Sequence, residues 1–228
     1  MRPMDDTTRA IAHPAATVVL LRDGRAGCEV LLVRRNAQLS FHGGAWVFPG
    51  GRVDAVDRAP ADADDVAAAR RAAVREAHEE AGLILEPAQL VLVSRWVTPV
   101  QLPKRFDTWF FAGPGSDAPV AVDGGEIHEH RWMTTADALA AQRAGAIELP
   151  PPTFVTITAL APYERADAAL AGLARNGAEL FEPRLLPVAG GAVTLYAGDA
   201  GYADLELERP GRRHRLWMLD SGWRYERT

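Results

Sequence analysis

Apolar and β-branched residues gather at positions 15–21 and again at 29–34, separated by the polar, glycine-punctuated stretch Arg22-Asp23-Gly24-Arg25-Ala26-Gly27. Two short apolar runs around such a break predict two strands joined by a hairpin turn. The period then changes. Residues 62–81 are alanine-rich with acidic residues at their start, and Val66, Ala69, Ala73 and Ala77 recur at helical spacing. This predicts a helix with a buried stripe that leaves Glu76, Glu79 and Glu80 toward a cleft. Acidic residues in its first turn suit the helix dipole. Residues 89–97 and 106–112 read as strands joined by a loop over 99–105. Residues 129–133 read as a short strand, and 135–144 as a helix capped by Thr134 or Thr135. A mostly helical stretch over 153–174 is broken near Ala161-Pro162-Tyr163. Beyond Glu182 the pattern turns to short strands at 184–188, 192–196, 205–207, 214–219 and 223–227. The order of elements is α/β with a C-terminal β-rich extension, divided into a domain over 10–160 and a helix-plus-strand extension over 161–228. That extension packs on the core or forms a dimer.

Composition narrows the class. The 228 residues are 48% hydrophobic, ample for a core and too apolar for disorder. No apolar run approaches the ~20 residues of a membrane span. The start, Met1-Arg2-Pro3-Met4-Asp5-Asp6, has no signal-peptide core, so a cytoplasmic protein without membrane contact is expected. A net charge of −5 disfavours a nucleic-acid binder, which would carry a basic stripe. Cys28 is the only cysteine; an internal disulfide and a cysteine zinc site are excluded, and its apolar strand context suits an inert buried thiol.

The densest chemistry lies in Arg75-Glu76-Ala77-His78-Glu79-Glu80-Ala81-Gly82-Leu83. On a helix, carboxylates at i, i+3 and i+4 share one face and repel. A divalent cation relieves that repulsion, and hard oxygen donors suit Mg²⁺ or Mn²⁺. Arg75 can hold a carboxylate in bidentate geometry, and Gly82 can end the helix. A solvated acidic face is the plain alternative. Upstream, Phe48-Pro49-Gly50-Gly51-Arg52-Val53-Asp54 places two glycines where backbone carbonyls can face a ligand.

These two segments together resemble the box of the Nudix hydrolases, G-x5-E-x7-R-E-U-x-E-E-x-G-U with U aliphatic. Gly51 matches its first glycine, and Arg75, Glu76, Glu79, Glu80, Gly82 and Leu83 its second half. Asp57 replaces the first glutamate, Ala77 fills an aliphatic slot, and seventeen residues (58 to 74) stand where the pattern has seven. Leu31-Leu32-Val33-Arg34-Arg35 with Gly44–Gly51, Trp96-Val97-Thr98-Pro99, Lys104–Phe111, Glu126 to Trp132 and Leu149–Thr153 are similar to the coenzyme A diphosphatase branch. The arginine of its upstream motif is missing near Leu39-Ser40-Phe41. The resemblance spans roughly residues 15 to 160.

The resemblance implies a Nudix fold, an α/β/α sandwich around a mixed sheet. It also implies hydrolysis of a diphosphate linkage, with Mg²⁺ or Mn²⁺ on Glu76, Glu79, Glu80 and the Gly50 carbonyl. Glu79 and Arg75 belong to the catalytic set. A glutamate from a late loop serves as general base: Glu126 is preferred, in the glycine-rich 123–126 loop, with Glu129 as runner-up. Arg34, Arg35, Lys104 and Arg105 are candidate phosphate contacts, Phe106 and Trp109 candidate stacking partners for a base, and His42 a candidate phosphate contact. His128 and His130 share a strand face without a third ligand, and His78 points to solvent. The implied partner is a small nucleoside diphosphate derivative: coenzyme A or acyl-CoA first, ADP-ribose or a dinucleotide next. A homodimer is the candidate assembly. A silent nucleotide-sensing module and an interaction scaffold are the alternatives.

Overall fold

In the computed structural model, which describes residues 11–39, 42–62 and 64–228, the first two apolar runs form β1 (Ala12–Gly24) and β2 (Gly27–Arg35), joined by the two-residue turn Arg25-Ala26. The interiors of both strands are buried on successive residues, as strands covered on both faces must be. Around them lie β3 (Trp46–Val47), β4 (Gly50–Arg52), β5 (Val91–Val97), β6 (Arg105–Pro114), β7 (Ile127–Thr134) and β8 (Glu179–Phe181). The path of this sheet runs β3-β2-β1-β6-β5-β8, with β4 paired to β1 and β7 to β2. The β1–β6 and β5–β8 pairs are parallel and the others antiparallel, so the sheet is mixed, as expected.

Helix α1 (Asp65–Ala81) covers one face. Its buried positions are Ala68, Ala69, Ala72, Ala73, Ala77, Glu80 and Ala81, with Val66 only half-buried. The small alanines let the helix lie close on Ala16, Val18, Leu20, Leu31, Trp109 and Phe111 of the sheet. It begins at Asp65 rather than 62 because Asp64 takes the cap, accepting from the Val66 N–H at 3.0 Å. Asp62 is used elsewhere, pairing with Arg71 and accepting from the Ala59 N–H. Gly82 ends the helix at φ 68°, its N–H on the His78 carbonyl.

The opposite face is covered by α2 (Thr135–Arg143), capped by Thr134, by α3 (Pro151–Leu160) and by α4 (Ala166–Asn176). The expected break after residue 160 separates α3 from α4. A second sheet, antiparallel and ordered β12-β11-β10-β9, comprises β9 (Arg184–Val188), β10 (Gly191–Leu195), β11 (His214–Leu219) and β12 (Gly222–Arg227). Its Tyr196 and Leu216 are fully buried in the same core as Trp96, Phe110 and Phe181 of the large sheet, and Trp223 meets Phe154 of α3 edge-on at 5.4 Å. The C-terminal strands thus pack on the core. Residues 205–207, expected as a strand, form turns instead. The segment wraps a buried ion pair: Arg215 bridges both oxygens of Asp199 at 2.7 Å and donates to the Leu207 carbonyl at 3.0 Å. Ser40 and Phe41, in the segment that lacks the upstream arginine, and residue 10, the expected domain start, lie outside the described residues.

Candidate active site

Arg75 is the organising side chain of the acidic cluster. It donates to both oxygens of Asp57 at 2.8 and 3.1 Å, to Glu76 at 2.9 Å, to Glu79 at 2.8 Å and to the Arg52 carbonyl at 2.9 Å. The bond to Asp57 is the largest of the interactions that raise the Arg75 pKa. In return, against the upward push of burial, Arg75 and the Asp54 N–H hold Asp57 below the usual carboxylate range. Asp57 is 3% exposed and closes a capping box with Asp54. Arg71 clamps the same turn from the helix, donating to the Asp57 carbonyl at 2.6 Å. The insertion thus has a fixed neck: Asp57 is tied to Arg71 and Arg75, and Asp62 to Arg71. Of its aspartates, Asp62 holds Arg71, Asp64 caps α1 and Asp65 pairs with Arg58 at 2.7 Å.

The glycines before the insertion bring backbone against carboxylate. Thr17 donates to the Pro49 carbonyl at 2.6 Å, and β4 pairs with β1 at Thr17 and Gly50. The Gly50 N–H donates to Glu80 at 2.9 Å. A Cβ on Gly51 would stand 2.4 Å from Glu76 Oε1, so only glycine admits that carboxylate where it is. Glu80, 5% exposed, is more deeply buried than a cleft-facing residue; burial pushes it up to about 8, the Gly50 N–H opposes this, and the negative charge of Glu76 adds to it. Burial also raises Glu76, with Arg75 opposing and the charges of Glu79 and Glu126 adding. Four carboxylates thus feel one another electrostatically.

Among the described residues, no three His, Cys, Asp or Glu side chains are already gathered as a ligand group. Arg75 draws on Glu76 and Glu79 while the Gly50 N–H occupies Glu80. The donors are nonetheless all hard oxygens with burial-raised anions among them, a set that fits Mg²⁺ or Mn²⁺ and not a soft metal.

A cleft of about 810 Å³ opens beside this cluster, and Gly50, Gly51, Arg75, Glu76, Glu79 and Glu126 lie in its wall. The Glu126 loop is pinned: Asp123 accepts from the Glu126 and Ile127 N–H groups, and Asn36 donates to the Gly125 carbonyl at 2.9 Å. The Glu126 side chain remains 62% exposed, with Arg35 at 3.7 Å. Glu129 is not among the cleft residues; Arg131 holds it at 2.6 Å and Arg34 lies at 3.6 Å. Of the expected substrate contacts, Arg35, Lys104 and Phe106 line the cleft, whereas Arg34 and Arg105 do not, Arg105 donating to the Thr98 carbonyl. The Arg35 Nε is buried and has no hydrogen-bond partner among the described residues. Trp109 is core, beneath Arg95. His42 also lines the cleft, its pKa lowered by burial and by Arg35. His78 and His128 are exposed.

The other end of the cleft was not anticipated. Trp96, Pro150, Leu185, Thr194, Tyr196 and Met218 form it, four of them from the second sheet or its edge. The only signal in the sequence is the alternation of Thr194 and Tyr196 with the apolar Val193 and Leu195, which marks a two-faced strand without saying what the face meets.

Comparison with known proteins gives a consistent picture. The family model for the NUDIX domain matches residues 12–151. Acyl-coenzyme A diphosphatase NUDT19 of Xenopus laevis is 22% identical, covering 84% of this chain and 81% of its own length. The human protein of that name is 26% identical, covering 78% and 73%. Among solved structures, a NUDIX hydrolase from Alicyclobacillus acidocaldarius is similar with a TM-score of 0.64 and 28% identity, covering 71% of this chain and 96% of the other.

Proposed function

The chain belongs to the Nudix family, and from that premise we propose that it is a metal-dependent diphosphatase whose substrate is coenzyme A or an acyl-CoA, with ADP-ribose or a dinucleotide as the next class. The single observation that carries the reading is the convergence of Glu76, Glu79 and Glu126 on one cleft, with Glu80 buried directly behind them and close enough to feel Glu76 and Glu126, beside an arginine Nε that lacks a partner among the described residues. Two relatives named acyl-coenzyme A diphosphatase, matched over most of this chain, support the preference for coenzyme A.

Glu76, Glu79, Glu80 and the Gly50 carbonyl would hold the cation, which when bound supplies positive charge to the diphosphate and acidifies water. Arg75 fixes Glu76 and Glu79 on α1 and ties that helix to Asp57, so the carboxylates keep their spacing as the charge around them changes. Arg35, which lines the cleft, would donate guanidinium N–H groups to a phosphate oxygen. Lys104, at the rim, adds a second positive charge. Glu126 takes the proton from the attacking water: it is exposed to the cleft and stands on a loop that is held in place. Glu129, already engaged by Arg131, is less suited to that role.

The test is a screen of coenzyme A, an acyl-CoA, ADP-ribose and a dinucleotide with Mg²⁺ or Mn²⁺, products being identified by mass. Cleavage of coenzyme A into 3′-phospho-AMP and phosphopantetheine is the expected result. Failure to cleave any diphosphate compound would overturn the reading.

A further inference from the structure

The lining of the cleft extends beyond the carboxylates to the second sheet. Thr194 of β10 and Tyr196, just past its end, both line the cleft, with Leu185 of β9 opposite Thr194 and Met218 of β11 opposite Ala192. This face of the second sheet closes over Trp96 of the large sheet, its ring 5.6 Å from that of Tyr196. From there the wall leads back by ring contacts, Trp96 to Phe110 at 6.2 Å and Phe110 to Phe48 at 6.2 Å. Phe48 stands two residues before Gly50. A continuous aromatic wall therefore joins the carboxylates to the second sheet.

Tyr196 brings an unmatched polar group to that wall. Tyr196 is fully buried, and its hydroxyl has no hydrogen-bond partner among the described residues. A buried hydroxyl left unmatched costs free energy, and such a group calls for an explanation. The chemistry of the arm selects among occupants. A second sugar would bring several hydroxyls against rings and aliphatic side chains and leave most of them unpaired. A flexible, largely apolar chain with isolated carbonyls would bury its methylenes and leave one acceptor for the tyrosine.

We propose that the C-terminal sheet forms a subsite for the non-nucleotide arm of the substrate, an amide- and thioester-bearing chain whose carbonyl accepts a hydrogen bond from Tyr196. The assignment rests on the diphosphatase reading for the orientation of the substrate, and it gives the C-terminal extension a function: it selects what is attached to the diphosphate. Tyr196 binds and does not take part in the chemical step. Met218 and Leu185 set the width of the arm.

S-hexanoyl pantetheine, which has the arm and no phosphate, is the probe. Titrated into the full chain by calorimetry, it is expected to bind saturably, and Tyr196→Phe is expected to weaken it by about three- to tenfold. The same variant should melt no lower than wild type, since an unmatched hydroxyl has been removed. In hydrolysis, the ratio of kcat/KM for hexanoyl-CoA to that for ADP-ribose should fall by a similar factor. Met218→Trp, which fills the arm, should abolish binding of the probe, and it decides the matter if Tyr196→Phe does not fold. No binding of the probe, or binding to a folded Tyr196→Phe equal to wild type, would overturn the subsite. With Tyr196→Phe unfolded, probe affinity of wild-type strength in Met218→Trp would do the same. Tyr196-dependent binding by a protein that cleaves no diphosphate would leave the subsite standing and overturn the diphosphatase reading. Cleavage without such binding would do the reverse.

Discussion

Replacing Gly51 by alanine separates the geometry of the acidic cluster from the stability of the fold. The added Cβ would lie 2.4, 2.5 and 2.6 Å from Oε1, Cδ and Oε2 of Glu76. An ordinary contact is about 3.5 Å or more, so the carboxylate must move by on the order of 1 Å. The obstacle is the end of a flexible side chain, so the fold can absorb the change. Catalysis is less tolerant, since a misplacement of ~1 Å can cost ~10²-fold. Gly50→Ala is the internal contrast. There the Cβ would meet the Ala16 carbonyl at 2.3 Å and Thr17 Cα at 2.6 Å, backbone that cannot yield without breaking the β1–β4 pairing. A loss of about 2 kcal/mol or more is expected for it, or roughly 4–8 °C in Tm for a chain of this size. Differential scanning calorimetry and steady-state hydrolysis of coenzyme A on both variants check the pair. Gly51→Ala should keep a Tm within about 2 °C of wild type while kcat falls about 10²-fold. Wild-type turnover in Gly51→Ala, or a Tm loss as large as that of Gly50→Ala, would refute the placement of Glu76 at the reaction site.

Other consequences follow from the same contacts. Glu126→Gln should lower kcat by on the order of 10²–10⁴, the contribution of a positioned general base, with Glu129→Gln milder; a larger loss for Glu129→Gln at saturating cation and substrate would move the base to β7. Arg75→Lys keeps the charge but loses the two-pronged grip on Asp57, so both Tm and kcat/KM should fall, and an unchanged Tm would show that the neck of the insertion is held by other contacts. Asp199 is held at about 2 by Arg215 and by the N–H groups of His214 and Gly201, against the push of burial. Because the folded value lies below the unfolded one, its stabilisation is present above about pH 4 and is lost as pH falls toward 2, about 2–3 kcal/mol in all. Urea melts between pH 5 and 2 should show this slope in wild type and a shallower one in Asp199→Asn.

The parts of the fold legible in the sequence are those with their own periodicity. The two strands of the first hairpin, the alanine helix and its Gly82 terminus form where local pattern and tertiary packing agree. The two- and three-residue strands β3, β4 and β8 carry too few residues to show a period, and exist because a neighbour offers hydrogen bonds. Residues 205–207 alternate like a strand, but the Leu207 carbonyl is claimed by Arg215, and the segment turns. At the candidate site, the spacing of Glu76, Glu79 and Glu80 was visible because one helix carries all three. Their inequality was not: Glu80 is sealed under the Gly50 N–H, while Glu79 remains open to solvent. Arg34 and Arg35 are adjacent in sequence, yet only Arg35 lines the cleft, at an irregularity in the β2–β7 pairing that falls between the two. Tyr196 was invisible as a site residue because its position depends on how the second sheet docks, which no local pattern encodes.

The claim on which the rest depends is that the carboxylates of α1 hold a divalent cation needed for hydrolysis. Calorimetric titration of Mn²⁺ into wild type, Glu76→Gln and Glu80→Gln, in parallel with hydrolysis before and after chelation, tests it directly. Saturable binding is expected in wild type, weakened by about tenfold or more in both variants, with activity lost on chelation and restored by added cation. Undiminished hydrolysis in excess chelator, or equal Mn²⁺ affinity in all three proteins, would contradict it.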